Sequence, residues 1–383
     1  MPSSNPPVAV LPNSPGSAPT TPTAAGGVES WALEPFLHLG DGKVYNPLTD
    51  KTLDRGDAGW PAVEALLEGR YEVDGLEPED RDKLIADGWV VSSQRDLARR
   101  YWLKYVSIET HTVCNQSCYF CPVSVAPRKA YFMETELFER LVRELQAYRE
   151  SLEGVWLMNY NEPTVDKRFV EQCRTLVEAG LAVGVNSNGS GLTPDKIDAL
   201  VEMGPLRYLS INLSTVDREK YHRDRGKDQL DLVLRNLDYA NGRPVADEMV
   251  MMVLGTGDEQ HQRDHEAITQ RFGRGFEVKY AEIMDRAGHI EVGHRPLDRE
   301  QSLCGCENVG SRPLQHLHVL PDGKCVLCCE DYDENYVVGD LRESTVHDVL
   351  TSDRVALLRR WAYGLDQAPD DFICKGCVFA LRR

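Results

Sequence analysis

Between about residue 105 and residue 295 the chain alternates short apolar runs with longer amphipathic ones. The apolar runs read VSI (106–108), VWLMNY (155–160), LAVGVNS (181–187), LRYLSINL (206–213), MVMMVL (249–254) and FEVKYAEI (276–283). Each is a short, largely apolar run set between amphipathic helical stretches, which predicts a buried strand. Between the first two lies ETELFERLVRELQAY, where Leu137, Leu141 and Leu145 recur every fourth residue and mark one stripe of a helix. Gly180 follows VEA as a helix stop, and Thr193-Pro194 opens the next helix. Six strand–helix units in this order predict an α/β fold whose parallel sheet is covered on both faces and curls into a full or partial (β/α)6 barrel. Catalytic groups of such a fold belong on the loops that leave the strands' C-terminal ends.

The flanks follow other rules. Residues 1–28 are rich in Pro, Ser, Thr, Ala and Gly. They hold too little apolar side chain to offset the entropy of ordering them, which predicts a disordered tail. Residues 29–100 predict a small α+β domain: a hairpin turning between Gly40 and Gly42, one or two short helices, a stop at Gly88 and a closing strand. Residues 101–298 form the alternating core. Residues 299–383 break its pattern with cysteines and turns, and read as a small appended domain with a terminal helix.

The formal net charge of −18 speaks against a general nucleic-acid binder, which would gather Lys and Arg. No apolar run approaches the roughly 18 residues that span a bilayer, and the first residues lack a basic and then apolar signal pattern. The expected location is the cytoplasm, where thiols stay reduced. Eleven cysteines are an odd number and argue against a disulfide framework. Cys173 stands alone within VDKRFVEQCRTLVEAG and is expected to pack as a small hydrophobe. The other ten form two groups, at 114–121 and 304–377.

In the first group a strand runs into ETHTVCNQSCYFCPVS, placing Cys114, Cys118 and Cys121 as C-x3-C-x2-C. Three thiolates this close wrap one corner of an iron–sulfur cubane and leave one iron without a protein ligand. A zinc site would close its own tetrahedron, so a zinc knuckle or incidental cysteines are the weaker alternatives. With Phe120 before the last cysteine, this loop resembles the signature of the radical SAM superfamily. The resemblance covers about residues 105–295. It implies a [4Fe-4S] cluster whose open iron binds S-adenosylmethionine (SAM), reductive cleavage to a 5′-deoxyadenosyl radical, and hydrogen abstraction from an unactivated C–H bond. It also implies a one-electron donor, reduced flavodoxin or ferredoxin.

The resemblance places other residues by position. Asn159-Tyr160-Asn161-Glu162-Pro163 stands where the family has Gly-Gly-Glu-Pro, so Glu162 is expected to pair with the amino group of SAM; a helix N-terminal carboxylate is the plain reading. Ser187 and Asn188 are expected on its ribose and carboxylate, with a simple turn as the alternative. Asn212 or Ser214 are further candidates, with plain strand polarity as the alternative, and Arg225 or Arg223 would reach the SAM carboxylate or the substrate, or else be solvated surface arginines. Arg128 and Lys129 are expected to be surface charges.

The second group reads LCGCENVG, then GKCVLCCED, then FICKGC, with Gly323 and Cys328 as a G-x4-C. It resembles the SPASM and twitch cluster-binding extensions of radical SAM enzymes. That resemblance implies one auxiliary [4Fe-4S] cluster on Cys306, Cys328, Cys374 and Cys377. Cys304, Cys325 and Cys329 are substitutes, or members of a second site, and an all-thiolate zinc site is the alternative. An unligated Cys325 or Cys329 would be a packed thiol or a hydrogen donor. Segment 31–91 weakly resembles the PqqD-like, winged-helix domains that capture a precursor peptide as an added strand. The expected substrate is therefore a ribosomally made peptide to be cross-linked, oxidised or epimerised. The alternatives are a dehydrogenase or epimerase of a sugar, aminocyclitol or nucleoside, and a non-catalytic iron–sulfur sensor.

Overall fold

The computed structural model describes residues 30–383 except 41, 71, 94, 95, 296 and 299, so the expected tail at 1–28 lies outside the described residues. One nine-stranded sheet organises the rest. Its strands in chain order are β1 (Tyr105–Ile108), β2 (Gly154–Trp156), β3 (Val183–Ser187), β4 (Leu206–Asn212), β5 (Ala246–Gly255), β6 (Glu277–Glu282), β7 (His316–Val319), β8 (Lys324–Val326) and β9 (Val337–Asp340). They lie side by side as β6-β5-β4-β3-β2-β1-β7-β8-β9. Strands β1 to β6 pair in parallel, as six strand–helix units require, and the sheet is open at β6 and β9 rather than closed into a ring. This is the partial barrel that the alternation predicted.

The two faces of the sheet differ. Val106, Ile108, Val155, Val183, Val185, Leu209 and Ile211 enter the main core. The helix Thr135–Leu145 packs on it with Leu137, Phe138, Leu141, Val142 and Leu145 buried. The other face carries half-buried Tyr105, Trp156 and Tyr208. The Trp156 ring stacks on Tyr208 at 5.4 Å and crosses Gly184, where an added Cβ would stand 2.5 Å from the ring. Only glycine admits the indole there.

Two boundaries depart from expectation. The run 155–160 supplies a strand only at Gly154–Trp156, because Asn159 to Glu162 leave the sheet to form a cavity wall. The segment after 299 is not a separate body: β7 pairs in parallel with β1 through His316↔Tyr105 to Val319↔Ile108, and carries the core sheet onward.

The N-terminal segment has its own core of Leu37, Val44, Leu53, Trp60, Val63, Leu84 and Trp89. The expected hairpin is a three-stranded meander, His38–Gly40, Lys43–Asn46 and Lys51–Asp54. The helices Trp60–Leu67 and Pro78–Ala86 follow, and the closing strand Val90–Ser92 pairs with Trp31–Leu33. This module docks on the C-terminal segment by polar contacts. His38 bonds the Tyr363 hydroxyl at 2.8 Å, and the Gln315 amide donates to Tyr45 and to the Pro47 carbonyl at 3.1 and 2.7 Å. The fully buried Arg359 donates to the carbonyls of Ala98, Pro313 and Leu350. No helix among the described residues is long and apolar enough to cross a membrane.

Candidate functional site

The loop leaving β1 carries Cys114, Cys118 and Cys121 at the C-terminal edge of the sheet, where catalytic groups were expected. Its backbone is pinned from two sides. Ser117 and Tyr119 donate to the carbonyls of Arg225 and Asp224 at 3.0 and 3.2 Å, and Glu162 donates to Val113 at 3.0 Å. Asn115 bonds Ser190 and Asn188, and Gln116 donates to the Tyr221 hydroxyl at 2.7 Å. Gly226 closes the approach: it has φ +66°, and an added Cβ would stand 2.2 Å from Ser117 Oγ. Burial pushes the Cys114 thiol up to about 12 and raises Cys121 as well. Such thiols ionise when a metal replaces their protons.

The three thiols open onto a cavity of about 160 Å³ that Glu162, Ser187, Asn188, Asn212 and Arg225 also line. The buried Glu162 carboxylate ties two loops together. Oε1 accepts from Ser187 Oγ at 2.8 Å and from the Thr164 hydroxyl and amide, and Oε2 accepts from Asn188 N at 2.6 Å. Oε2 keeps one accepting direction free. Burial raises this carboxyl, against those hydrogen bonds. Glu162 thus caps a helical turn through Thr164 and also lines the cavity.

Arg225, only 2% exposed, lies over the Phe120 ring at 5.0 Å with Nη1 3.6 Å from Cys118 Sγ. Its Nη2 donates to Asn212 Oδ1 at 2.8 Å and to Ser214 Oγ at 2.9 Å, so Ser214 acts on the cavity through Arg225. Arg223 is 69% exposed and pairs with Asp224, away from this cavity.

Arg128 corrects an expectation: it is not a surface charge. Its guanidinium forks onto both oxygens of Glu109, a carboxylate with no exposure just past β1, and lies over the Tyr332 ring at 5.0 Å. Lys129 is exposed, as expected. Sequence reasoning missed Tyr160 and Arg286 in the cavity wall, and it named Cys329 without placing it there. Tyr160 donates to the Cys329 carbonyl at 2.6 Å, and Arg286 pairs with Glu330 at 3.3 Å. The signal for Arg286 is conformational: it sits at φ +54°, a strained setting that marks functional loops.

A second, small cavity, of about 20 Å³, gathers Cys306, Cys328, Cys374 and Cys377 from segments far apart in sequence, with Arg312 and Glu330 beside them. The Arg382 guanidinium holds the late loop by donating to the carbonyls of Cys374, Lys375 and Cys377. Burial raises the Cys306 and Cys374 thiols and pushes Cys377 up to about 12. The remaining thiols separate. Cys329 faces the first cavity, with its thiol 3.8 Å from Glu330 Oε1. Cys325 is fully buried in the core, as is Cys173, and Cys304 lines neither cavity. Among the described residues no three His, Cys, Asp or Glu side chains sit close enough to hold a single metal ion. The two thiol sets instead open onto spaces between side chains. In the first, Arg225 reaches a cysteine sulfur; in the second, the buried Arg312 Nε has no hydrogen-bond partner. Both donor sets fit iron–sulfur clusters, whose bridging and thiolate sulfurs accept such bonds.

Residues 108–267 match the radical SAM superfamily, and residues 306–378 match the SPASM iron–sulfur cluster-binding domain. Over 112 residues the chain is 29% identical to a tungsten-containing aldehyde ferredoxin oxidoreductase cofactor-modifying protein of Pyrococcus furiosus, covering 29% of this chain and 31% of that one. Over 149 residues it is 32% identical to a probable GTP 3′,8-cyclase of Pyrococcus abyssi, covering 38% and 47%. The chain thus spans less than half the length of these relatives. Over 277 residues it is 22% identical to the S-adenosyl-L-methionine-dependent 2-deoxy-scyllo-inosamine dehydrogenase of Niallia circulans, covering 71% and 91%. Among solved structures it shares the fold of Streptococcus suis SuiB bound to precursor peptide SuiA, with a TM-score of 0.55, 12% identity and coverage of 85% and 88%. The family's cofactors are SAM and a [4Fe-4S] cluster, with auxiliary iron–sulfur in the SPASM domain. The chain belongs to the radical SAM superfamily and carries a C-terminal SPASM domain.

Proposed function

We propose that the chain abstracts hydrogen from an unactivated C–H bond of a ribosomally made precursor peptide, so as to cross-link, oxidise or epimerise it. Cys114, Cys118 and Cys121 would hold the SAM-binding [4Fe-4S] cluster, and Cys306, Cys328, Cys374 and Cys377 one auxiliary [4Fe-4S] cluster. Bound together, the first cluster and SAM supply a 5′-deoxyadenosyl radical when a flavodoxin or ferredoxin delivers one electron.

The chain's own part is to bind, orient and exclude water. Arg225 sets its positive charge against Cys118 and offers donors to an anionic ligand group. Glu162 Oε2 would receive the amino group of SAM through its free accepting direction, while Ser187 and Asn188 hold that carboxylate in place. The observation that carries the reading is the single cavity shared by three loop thiols, Glu162 and Arg225.

Two observations favour a peptide. The N-terminal meander ends in Lys51–Asp54, an edge strand with exposed Lys51, Thr52 and Asp54 that a peptide can extend. The fold shared with SuiB covers 85% of this chain, and that structure holds its precursor peptide. A second reading is a small polyol or aminocyclitol. It draws on the likeness to the 2-deoxy-scyllo-inosamine dehydrogenase and on the amides of Asn159, Asn161 and Asn186 in the cavity wall, which suit hydroxyl groups.

The test is anaerobic turnover with dithionite and SAM. 5′-Deoxyadenosine must form, and its absence would make the chain a sensor rather than an enzyme. A short peptide encoded beside the gene should raise that yield and change mass. Stimulation by an aminocyclitol instead would overturn the peptide reading.

A further inference from the structure

The four thiols of the second cavity share it with one guanidinium that makes no ion pair with a described carboxylate. Arg312 lines the cavity, and its Nε is buried without a hydrogen-bond partner. Its one side-chain bond among the described residues runs from Nη2 to the Asn308 amide oxygen at 3.3 Å. No described carboxylate pairs with it, because Glu330, the acidic side chain on the same wall, pairs with Arg286 at 3.3 Å. Arg382, the other arginine at this end, also has a buried Nε without a partner, but it does not line the cavity and its two terminal nitrogens donate to the backbone carbonyls of Cys374, Lys375, Cys377 and Ala380. His316 and His318 stand near Arg312 on β7; burial and this cation keep both neutral at ordinary pH, so neither supplies a negative charge.

A largely buried cation without an anionic partner is unfavourable. Four neutral thiols do not relieve it. Four thiolates around a four-iron core do, because that assembly carries net negative charge and its sulfurs accept hydrogen bonds. The partner that Arg312 lacks is therefore of the same kind as the group the four cysteines are proposed to bind.

We propose that Arg312 is the built-in counter-charge of the auxiliary cluster, and that it raises the cluster's reduction potential. This rests on the reading that Cys306, Cys328, Cys374 and Cys377 are the ligands. One-electron reduction adds one negative charge to the cluster and no proton. A fixed cation at its edge therefore favours the reduced form over the oxidised one. Arg312 acts through the cluster rather than on substrate. It lies on the short helix Arg312–Gln315. The same turn is fastened to the N-terminal module through Gln315 and through a hydrogen-bond chain from the Ser311 hydroxyl to the Tyr363 hydroxyl to His38 Nε2. The guanidinium is thus fixed by an interface and not left on a loose loop.

The test is a redox titration of the anaerobically reconstituted holoenzyme, read by electron paramagnetic resonance, with iron counted per chain. Wild type is compared with Arg312→Gln, which keeps a donor but loses the charge, and Arg312→Lys, which keeps the charge. Arg312→Gln should retain its iron and be at least tenfold less reduced at a given potential, a midpoint about 59 mV lower for one electron. Arg312→Lys should move less than that. The midpoint of the SAM-binding cluster should stay put in both, as an internal reference. A fully loaded Arg312→Gln with an unshifted midpoint overturns the proposal, as does an Arg312→Lys that shifts as far as Arg312→Gln. If Arg312→Gln loses the second cluster, retention in Arg312→Lys supports the charge role, and loss in both overturns it. Failure of the underlying ligand assignment looks different: wild type would carry iron for one cluster only, before any variant is compared.

Discussion

Replacing Arg128 by alanine strips the counter-charge from Glu109, which has no exposure. The guanidinium donates to Oε2 at 3.0 Å and also to Oε1, and the Tyr160 amide adds a 3.0 Å bond to Oε1. After truncation that amide is the one remaining donor of these three. Breaking a buried pair from one side costs about 3–5 kcal/mol. At about 2–4 °C per kcal/mol for a domain of this core's size, the melting midpoint should fall on the order of 10 °C. The pH dependence has a definite sign. Burial raises the Glu109 carboxyl in the folded chain, and the Arg128 charge opposes that rise. A raised folded value means a contribution to stability that is present below the unfolded value and lost as pH climbs through the folded one. Without Arg128 the folded value rises further, so the deficit is widest near neutral pH and narrows in mild acid. The assay is anaerobic thermal unfolding at matched iron content, at both pH values, with Arg128→Ala alone and with Glu109→Gln added. The double variant should recover a large part of the loss. An Arg128→Ala loss below about 1 kcal/mol, the level of an exposed ion pair, would refute the reasoning.

Three other outcomes are expected. Cys118→Ala should abolish 5′-deoxyadenosine formation in an anaerobic dithionite assay; ordinary turnover would remove the loop thiols from the chemistry. Cys374→Ala should lose about half the iron and the product while keeping some SAM cleavage, measured by iron analysis and chromatography. Gly184→Ala should destabilise by about 1–3 kcal/mol in thermal unfolding, because the new methyl meets a Trp156 ring already stacked on Tyr208.

What could be read from the sequence was what is local. Six apolar runs gave the parallel core, and three cysteines within eight residues marked the loop that opens the first cavity. Ser187, Asn188 and Asn212 were reachable because each lies at or just past a strand's C-terminal end. The misses are all matters of convergence. Arg128 reads as a surface residue because its partner Glu109 lies 19 positions away across the cluster loop. Cys329 is adjacent to Cys328 in sequence yet opens onto a different cavity, and no spacing rule separates two neighbours. HLHV does not read as a strand, since two histidines replace the usual aliphatics. Even so, β7 is wholly buried and extends the core sheet across the boundary expected at 298. Nor does the sequence show that Arg312 Nε is buried without a partner among the described residues, a fact that exists only once the stretches 306–313, 327–330 and 373–380 meet.

The most direct test of the account is the electron paramagnetic resonance spectrum of the dithionite-reduced holoenzyme, recorded with and without SAM. The account predicts a [4Fe-4S] signal that changes shape when SAM is added, survives in Cys374→Ala and is missing from Cys118→Ala. A spectrum indifferent to SAM, or one that Cys118→Ala leaves intact, would contradict it.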